Sequence, residues 1–290
     1  MTNNIITNKG ATRLSKWIEE NYESCNYRIA IPTYKRHETL KKKTLKVLNE
    51  SDVNPDKIDI FVADEEEKSL YEKTLEKGTY GRIIIGKVGL KENRTFIQNF
   101  YPEGQYIVSL DDDIEEIHIR VNEKKVANLI SLDGLFCYGY KICKEINTGL
   151  WGVYPVDNPY FMKNHIACGL RFINATMFGM INTHKPEMYI TLDDKDDYER
   201  SLRAYIKYHT VARFDFISYK SKEFTEAGGM QFDGKRTLER NKQSVYYLIK
   251  KFPKLCKVNT ARKDRWEVKL IEQRPEYKTL ANWKINLAKD

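Results

Sequence analysis

The sequence predicts an α/β protein with a mostly parallel central sheet flanked by helices. Two observations predict this class. Short apolar runs, each about the length of a buried strand, alternate with amphipathic helical patterns up to residue 110. Each run ends at Pro, Gly or Asp, where a strand would reach the surface. Strands and helices that alternate in this way are typical of βαβ units.

The elements follow in order along the first part of the chain. The predicted strands are residues 28–31, 58–63, 82–85 and 106–110, and the predicted helices are residues 12–22, 35–49, 68–77 and 92–101. Pro32 ends the first strand and Pro102 stops the last helix, because proline lacks the N–H that both structures need. With no repeat or low-complexity linker, the chain is expected to form one compact unit with a basic tail.

Residues suited to ligand binding follow these strands. In open α/β sheets ligands bind beyond the carboxyl ends of the strands. The residues at those ends are Pro32, Thr33, Tyr34 and Arg36 after the first strand, Asp64 after the second, Gly86 and Gly89 after the third, and Asp111, Asp112 and Asp113 after the fourth. Three adjacent carboxylates repel one another, and Mg²⁺ or Mn²⁺ shared with substrate phosphates would relieve that repulsion. The alternative is a solvated turn or a helix cap.

Composition excludes several classes. No apolar run approaches the roughly 20 residues of a membrane span, and the N-terminal residues lack the apolar core of a signal peptide. Five scattered cysteines without a CxxC pair favour reduced thiols in the cytoplasm. Neither GxxxxGK[ST] nor GxGxxG occurs, so a P-loop ATPase or a dinucleotide-binding site is not supported. A net charge of +8 favours a polyanionic partner, although many basic proteins bind none.

A second dense acidic segment covers residues 191–200. Thr191 or Asp193 could cap a helix, and acids in its first turn would complement the helix dipole. That structural role explains many such runs. A carboxylate here could instead act as a general base that takes a proton from an attacking hydroxyl.

Taken in order, the motifs resemble those of a known family. They are Ile31-Pro-Thr-Tyr-Lys-Arg36, Phe61-Val-Ala-Asp64, Gly89 with Asn93-Arg94, Ser109-Leu-Asp-Asp-Asp113, Leu150-Trp-Gly-Val-Tyr-Pro155 with Asn158, Lys195-Asp-Asp-Tyr-Glu-Arg200, and Gly228-Gly229 with Arg236. The set resembles the TET-associated glycosyltransferases of bacteriophages, which have the GT-A fold and decorate hydroxymethylated pyrimidines in phage DNA. Phage DNA arabinosyltransferases are similar. The resemblance runs from about residue 28 to about residue 265.

The resemblance implies roles for matching residues. Residues 32–36 and Asp64 would hold the uracil and ribose of a UDP-sugar, with Gly89 nearby, and Arg94 would approach the donor phosphates or sugar. Asp111 would face the ribose and support the metal, Asp112 would support the donor sugar or a metal-bound water, and Asp113 would ligate the metal. Asp197 would be the general base of an inverting enzyme, with Asp196 as second choice. Relatives tend to show Gln-Arg-Asn where this chain has Asn93-Arg94-Thr95, which puts the donor-sugar contacts in doubt.

Other features keep two interpretations. Trp151 and its loop could form a stacking wall for a base or donor sugar, or could be pinned to the core. Gly228 and Gly229 could approach the donor phosphates or form a plain turn. Glu199 and Arg200 are expected to form ion pairs that hold a helix, and His118 is expected to be structural. A third metal ligand could be His165, His184 or His209, which the sequence does not rank.

The tail supplies the argument for a nucleic-acid partner. Its cations are Lys235, Arg236, Arg240, Lys242, Lys250, Lys251, Lys254, Lys257, Arg262, Lys263 and Arg265. Such a face would bind phosphates of double-stranded DNA without reading sequence, although a solvated helix face explains many lysine-rich runs.

The sequence predicts a GT-A catalytic domain over residues 1–235, with a nucleotide-sugar half (28–115) and an acceptor half (116–235), and a basic extension over residues 236–290. No protein partner is evident. The rival functions are sugar transfer to a glycan, lipid or protein, and nucleic-acid binding without catalysis.

Overall fold

The computed structural model describes residue 18 and residues 24–129, 131–221, 237–261, 266–272 and 284–286. The strands are β1 Tyr27–Pro32, β2 Ile58–Val62, β3 Arg82–Ile85, β4 Tyr106–Leu110, β5 Ile114–Asn122, β6 Lys125–Asn128, β7 Leu150–Val153, β8 His165–Ala167, β9 Met177–Ile181, β10 Ala212–Phe214, β11 Ile217–Ser221, β12 Cys256–Val258, β13 Val268–Leu270 and β14 Lys284–Asn286. The helices are α1 His37–Lys42, α2 Thr44–Asn49, α3 Glu65–Thr74, α4 Leu90–Phe100, α5 Leu132–Glu145, α6 Asp196–Tyr208 and α7 Leu238–Lys251.

Nine of the described strands form one mixed sheet in the order β14-β8-β10-β7-β9-β4-β1-β2-β3. Strands β1 to β4 are mutually parallel, as predicted. Strand β9 runs antiparallel between β4 and β7, and β10 is parallel to β7. Strands β1, β2, β3, β4, β7 and β10 therefore end at the same edge, which we call the site edge. A small sheet of β11, β5 and β6 begins there, since β5 follows the acid triplet directly.

The predicted helix over residues 35–49 is wrong in one respect, because it is broken into α1 and α2 at Lys43. The hydroxyl of buried Thr44 donates to the carbonyl of Asp111 (2.7 Å) and accepts from the N–H of Ile114 (2.9 Å). These two bonds tie the start of α2 to the backbone of the acid triplet. A continuous helix could not make them without moving that backbone.

The predicted helix over residues 68–77 begins earlier, at Glu65. The Asp64 carboxylate accepts a hydrogen bond from the N–H of Glu67 (2.9 Å) and caps the helix. Three glutamates in the first turn complement the helix dipole. The predicted helix over residues 12–22 lies outside the described residues except for buried Ile18.

Trp151 is fully buried in the core. Its ring packs edge-to-face on Tyr140 and Phe214, and two glycines make room for it. A Cβ built on Gly179 would lie 2.0 Å from the indole nitrogen, and one built on Gly139 would lie 2.5 Å from the ring. The two glycines allow close approach of the indole, and β7 is thereby fixed to α5 and β9.

This packing gives a stability prediction. Gly179→Ala should destabilise the protein by about 1–3 kcal/mol, because a methyl group forced against the indole overpacks the core. Urea unfolding would measure the loss. The double variant Gly179→Ala/Trp151→Phe should recover part of it relative to Trp151→Phe alone, because the smaller ring leaves room. If the losses of stability in Gly179→Ala and Trp151→Phe simply add in the double variant, this account is contradicted.

The division predicted between residues 235 and 236 stays a prediction. Helix α7 packs on α6 through an apolar cluster that includes Leu202, Val245 and Leu248. Strand β14 pairs with β8 at one edge of the large sheet. All five cysteines are free thiols. Among the described helices, none has both the length and the apolar character needed to cross a membrane.

Candidate active site

Asp112 anchors the acid triplet to the loop after β1. Its carboxylate accepts hydrogen bonds from the Thr33 hydroxyl (2.7 Å) and from the Arg36 guanidinium (3.2 Å). The Thr33 hydroxyl also contacts the Tyr71 hydroxyl (2.7 Å), whose oxygen accepts from the Arg36 N–H (3.1 Å). Asp112 is therefore buried and already bonded, so it organises the triplet rather than facing a ligand.

The negative charges of Asp113 and Asp111 have fewer hydrogen-bond and ion-pair partners than that of Asp112. Asp113 lies 3.6 Å from the Arg36 guanidinium. Burial, together with the charges of Asp111 and Asp112, raises the pKa of Asp113 to about 7. Burial also raises the pKa of Asp112 to about 6. Asp111 is the most exposed of the three, with 35% of its side chain accessible. The triplet thus concentrates negative charge that the surrounding protein only partly neutralises.

The two acidic segments meet around the ring of Phe178. The Arg94 guanidinium pairs with Asp111 (3.3 Å), and the Arg200 guanidinium pairs with Asp196 (2.6 Å). Both guanidinium carbons lie over Phe178, at 5.6 and 4.0 Å from the ring centroid. Burial raises the pKa of Asp111, and the charge of Asp196 adds to the rise, whereas Arg94 and Arg200 oppose it. Residues from β4, α4, β9 and α6 therefore form one electrostatic cluster at the site edge.

Both arginines keep donors without partners. Arg94 is 8% exposed and Arg200 is 6% exposed. Nε of Arg94 and Nη1 of Arg200 are buried, and neither finds a hydrogen-bond partner among the described residues. They line a cavity of about 40 Å³ between α4 and α6. A buried guanidinium with an unused N–H favours an anionic or oxygen-rich ligand.

Asp197 and Asp196 have different surroundings. Asp196 is buried and paired with Arg200, whereas Asp197 is half-buried and its carboxylate accepts from the N–H of Tyr198 (2.8 Å). No ion pair to Asp197 is found within the described ranges. Burial, with the neighbouring charge of Asp196, raises the pKa of Asp197 to about 7. A half-exposed carboxylate with such a pKa is suited to act as a general base. Asp196 is less suited, because it is buried and paired with Arg200.

The segment before α6 is held from both sides. The fully buried Glu199 carboxylate accepts from the N–H and hydroxyl of Thr191 (2.8 and 2.6 Å) and pairs with Arg203. Asp193 accepts from the N–H of Lys91 at the start of α4 (3.0 Å). The predicted cap at Thr191 or Asp193 is wrong: the N-cap is Lys195, which has a left-handed φ of 66°. The predicted helix-holding ion pairs of Glu199 and Arg200 are confirmed.

The other donor-side predictions fall at the same edge. Pro32 is the last residue of β1 and Tyr34 follows it. Asp64 follows β2, and one of its carboxylate oxygens caps the next helix. Gly89 precedes α4 with φ 101°, which favours glycine. These positions agree with a donor site, while their individual roles stay predictions. Gly228, Gly229 and Arg236 lie outside the described residues.

Trp151 needs a correction. Its interpretation as a stacking wall is wrong, because the ring is fully enclosed by the core and cannot meet a ligand. The alternative, that Trp151 pins its loop to the core, is the one the packing supports.

His118 is buried between Asp157 (2.9 Å) and Glu116 (3.0 Å), in agreement with a structural role.

The candidate third metal ligands do not join the triplet. His165 lies 3.3 Å from Asp215, and the His184 imidazole contacts the Tyr101 carbonyl (2.9 Å). His209 forms the exposed C-cap of α6. Within the part of the chain that the structure describes, no group of three or more His, Cys, Asp or Glu side chains is arranged to hold a metal ion.

Sequence reasoning missed two site residues, Arg200 and Phe178. The spacing of four between Asp196 and Arg200 indicated their ion pair, but not that the guanidinium would reach Arg94. Phe178 stands in an ordinary apolar strand, and nothing in its pattern distinguishes it. Only the pairing of β9 with β4 brings its ring to the site.

The basic tail is partly used inside the molecule. Arg240 pairs with Asp193 (2.6 Å) and Lys251 with Glu199 (3.4 Å), while Lys242 lies over the Trp266 ring. The exposed cations described in this region are Lys250, Lys251, Lys254 and Lys257. Lys235, Arg236, Arg262, Lys263 and Arg265 lie outside the described residues. Some of the tail's cations are therefore engaged in contacts within the protein, and DNA contact stays a prediction.

Comparison with known structures gives the fold. The chain shares the GT-A glycosyltransferase fold: it superposes on S. aureus TarS 1–349 in complex with UDP-GlcNAc with a TM-score of 0.50 and 11% identity, over 78% of this chain and 67% of that chain. A second structure of S. aureus TarS gives a TM-score of 0.47 at 13% identity. The match covers 67% of this chain but only 36% of the TarS chain. Glucosyl-3-phosphoglycerate synthase from Mycobacterium tuberculosis, in complex with Mn²⁺, UDP-glucose and phosphoglyceric acid, gives 0.43 at 9% identity, over 90% of this chain and 92% of that one. No protein-family profile and no curated protein matches the sequence.

Proposed function

We propose that this protein is a metal-dependent glycosyltransferase that transfers a sugar from a UDP-sugar to the hydroxymethyl group of a modified pyrimidine in DNA. The observation that carries the proposal is the meeting of the acid triplet and the Asp196–Asp197 segment around Arg94, Arg200 and Phe178. The site combines carboxylates for a cation, guanidinium groups for phosphates and a separate carboxylate, Asp197, that has no ion pair among the described residues and could act as a base.

The acid triplet fits a divalent cation. Burial raises the pKa values of Asp113 and Asp111, and so do neighbouring carboxylates: Asp111 and Asp112 act on Asp113, and Asp196 acts on Asp111. A cation would relieve this existing cost. With no three-ligand group among the described residues, the chain would supply one or two carboxylates and the donor diphosphate would complete the coordination. Asp113, supported by Asp111, would hold Mn²⁺ or Mg²⁺. When bound, the ion would act as a Lewis acid toward the diphosphate.

The chain's own residues would supply the other steps. Asp197 would take the proton from the acceptor hydroxyl as its oxygen attacks the anomeric carbon. The bond from that carbon to the diphosphate oxygen would break on the opposite side, inverting the configuration. Arg94 and Arg200 would place positive charge near the diphosphate, where negative charge develops on the leaving UDP.

The donor and acceptor rest on different support. For a UDP-sugar, the support is the shared fold with TarS, which was solved with UDP-GlcNAc. For DNA, it is the net charge of +8 and the resemblance of the ordered motifs to phage DNA glycosyltransferases. An enzyme that acts on a glycan, lipid or protein would share the donor site but would lack salt-sensitive DNA affinity. A binding module without catalysis would leave the two acidic segments without a purpose.

Mass spectrometry of DNA tests the proposal. Hydroxymethylcytosine or hydroxymethyluracil DNA would be incubated with Mn²⁺ and a panel of nucleotide sugars. The expected result is one added sugar mass on the modified pyrimidine and none on unmodified DNA. Donor turnover with no addition to either DNA would reject the DNA acceptor and favour another acceptor class.

The pH dependence follows from Asp197. A base must be ionised to accept a proton, and the Asp197 pKa is raised to about 7. The kcat for transfer should therefore fall as the pH drops below about 7, approaching tenfold per pH unit. A kcat profile from about pH 5 to 9, at saturating metal and donor, checks this. A rate independent of pH through that range would remove Asp197 as the base.

A further inference from the structure

The loop over residues 154–164 exposes two neighbouring aromatic side chains. Tyr160 is 65% exposed and Phe161 is 52% exposed, and their rings meet edge-to-face at 5.1 Å. Exposed rings lose the benefit of burial, so a contiguous exposed aromatic pair is a feature of interaction sites. We call Tyr160 and Phe161 the aromatic pair.

The aromatic pair follows a strand that ends at the site edge. Strand β7 leads into the loop, and it is parallel to β4 because both pair antiparallel with β9. Only β9 separates them, so β7 and β4 lie roughly 10 Å apart. The loop therefore begins at the site edge, on the side away from the donor-binding strands β1 to β3, and the residues that flank its aromatic pair are bonded to Arg120 farther along β5.

The loop is fixed rather than loosely attached. The Asp157 carboxylate accepts from the Ser218 hydroxyl (2.7 Å) and contacts the His118 imidazole (2.9 Å). The Arg120 guanidinium donates to the Pro159 carbonyl and to the Asn164 side chain, both at 3.0 Å. These bonds hold the backbone on either side of the aromatic pair against the small sheet, so the rings are presented on a rigid support.

A basic groove adjoins the pair. The hairpin of β5 and β6, together with Asn164, lines a groove of about 700 Å³. The walls of the groove include Arg120, Lys124 and Lys125. Lys163, next in the loop, is also exposed. Glu123 is the acid among the groove-lining residues. Exposed cations beside exposed rings match a strand that carries both phosphates and flat bases.

We propose that the loop over residues 154–164 and the β5–β6 hairpin form the docking surface for a nucleic-acid strand. The aromatic pair stacks on a base turned out of the helix, and the lysines of the hairpin contact the flanking phosphates. An extruded base is the form in which enzymes act on pyrimidines in DNA. The assignment rests on the proposed glycosyltransferase function, and it places the acceptor on a surface distinct from the basic tail.

Oligonucleotide binding tests the surface separately from catalysis. The probe is an oligonucleotide with 2-aminopurine beside the target base, whose fluorescence reports unstacking. Tyr160→Ala/Phe161→Ala should weaken binding by about tenfold to a hundredfold and abolish the fluorescence change. Lys124→Gln/Lys125→Gln should lower the slope of log Kd against log salt by about 2. Thermal unfolding should match the wild type, since all four side chains are exposed.

The control carries the same change of charge elsewhere. Lys73→Gln/Lys77→Gln alters two exposed lysines at the end of α3 and just after it, and should leave both readouts unchanged. Unaltered binding in the aromatic double variant, or equal losses in the control, would overturn the inference. Hydrolysis of a UDP-sugar by the wild type without acceptor is measured alongside. Its presence without oligonucleotide binding would overturn the docking surface alone, whereas the absence of UDP release both here and with Mn²⁺ and modified DNA would reject the glycosyltransferase itself.

Discussion

Asp197→Asn is expected to lower the rate of sugar transfer by about 10²- to 10⁴-fold. The amide keeps the shape of the carboxylate, including an oxygen that can accept from the Tyr198 N–H, but it cannot accept the proton of the acceptor hydroxyl. Asp197 makes no ion pair that is found in the described structure, so the change leaves no buried charge uncompensated. The KM for the donor should stay near its wild-type value, because Asp197 acts on the acceptor.

The matched control is Asp56→Asn, which alters an exposed carboxylate away from the site. Kinetics of transfer would be measured for both variants, with thermal unfolding as the check on folding. A residual rate for Asp197→Asn within a few-fold of the wild type would exclude this residue as the base. Asp196→Asn is a poorer test, since it strips the buried Arg200 of its partner and is expected to cost about 3–5 kcal/mol of stability.

Asp113→Asn is expected to abolish transfer and yet to stabilise the metal-free protein. The pKa of Asp113 is raised to about 7 in the fold, against about 3.9 in an unfolded chain. A carboxyl group with a raised pKa destabilises the fold once the pH exceeds its unfolded value, because the fold disfavours the ionised form. Replacing it with a neutral amide removes that cost, on the order of 1–3 kcal/mol near neutral pH.

Thermal unfolding with and without Mn²⁺ measures both effects. The wild type should gain stability from Mn²⁺, whereas Asp113→Asn should start higher and gain little. Asp56→Asn should behave as the wild type does. A variant that is less stable without metal, or that retains metal-dependent stabilisation, would contradict the assignment of Asp113 as a ligand.

The N-terminal half of the fold was predictable from sequence because its signals are local. Apolar runs ending at Pro32, Asp64 and Asp111 marked parallel strands, and the observed pairing confirms them. The GT-A fold was also predicted. The break at Lys43 was not predictable, because it depends on bonds from Thr44 to residues about 70 positions away.

The second half of the site illustrates the same limit. The acids at residues 196 and 197 were visible in the sequence, but their different surroundings were not. Asp196 pairs with Arg200, whose guanidinium lies over Phe178 of β9, whereas Asp197 has no ion pair among the described residues. The sequence left Trp151 open between a ligand-facing and a core position, because a turn-rich aromatic segment does not reveal that Gly139 and Gly179 leave room for its ring in the core.

The release of UDP is the most direct measure of the central claim, that the two acidic segments form one metal-dependent site for sugar transfer. UDP would be quantified after incubation of the protein with a UDP-sugar, with Mn²⁺ or with a chelator, and with or without hydroxymethylated DNA. The account predicts release that requires Mn²⁺, increases with the modified DNA and is lost in both Asp113→Asn and Asp197→Asn. Failure to turn over any nucleotide sugar with Mn²⁺ and modified DNA, or full turnover in either variant, would contradict it.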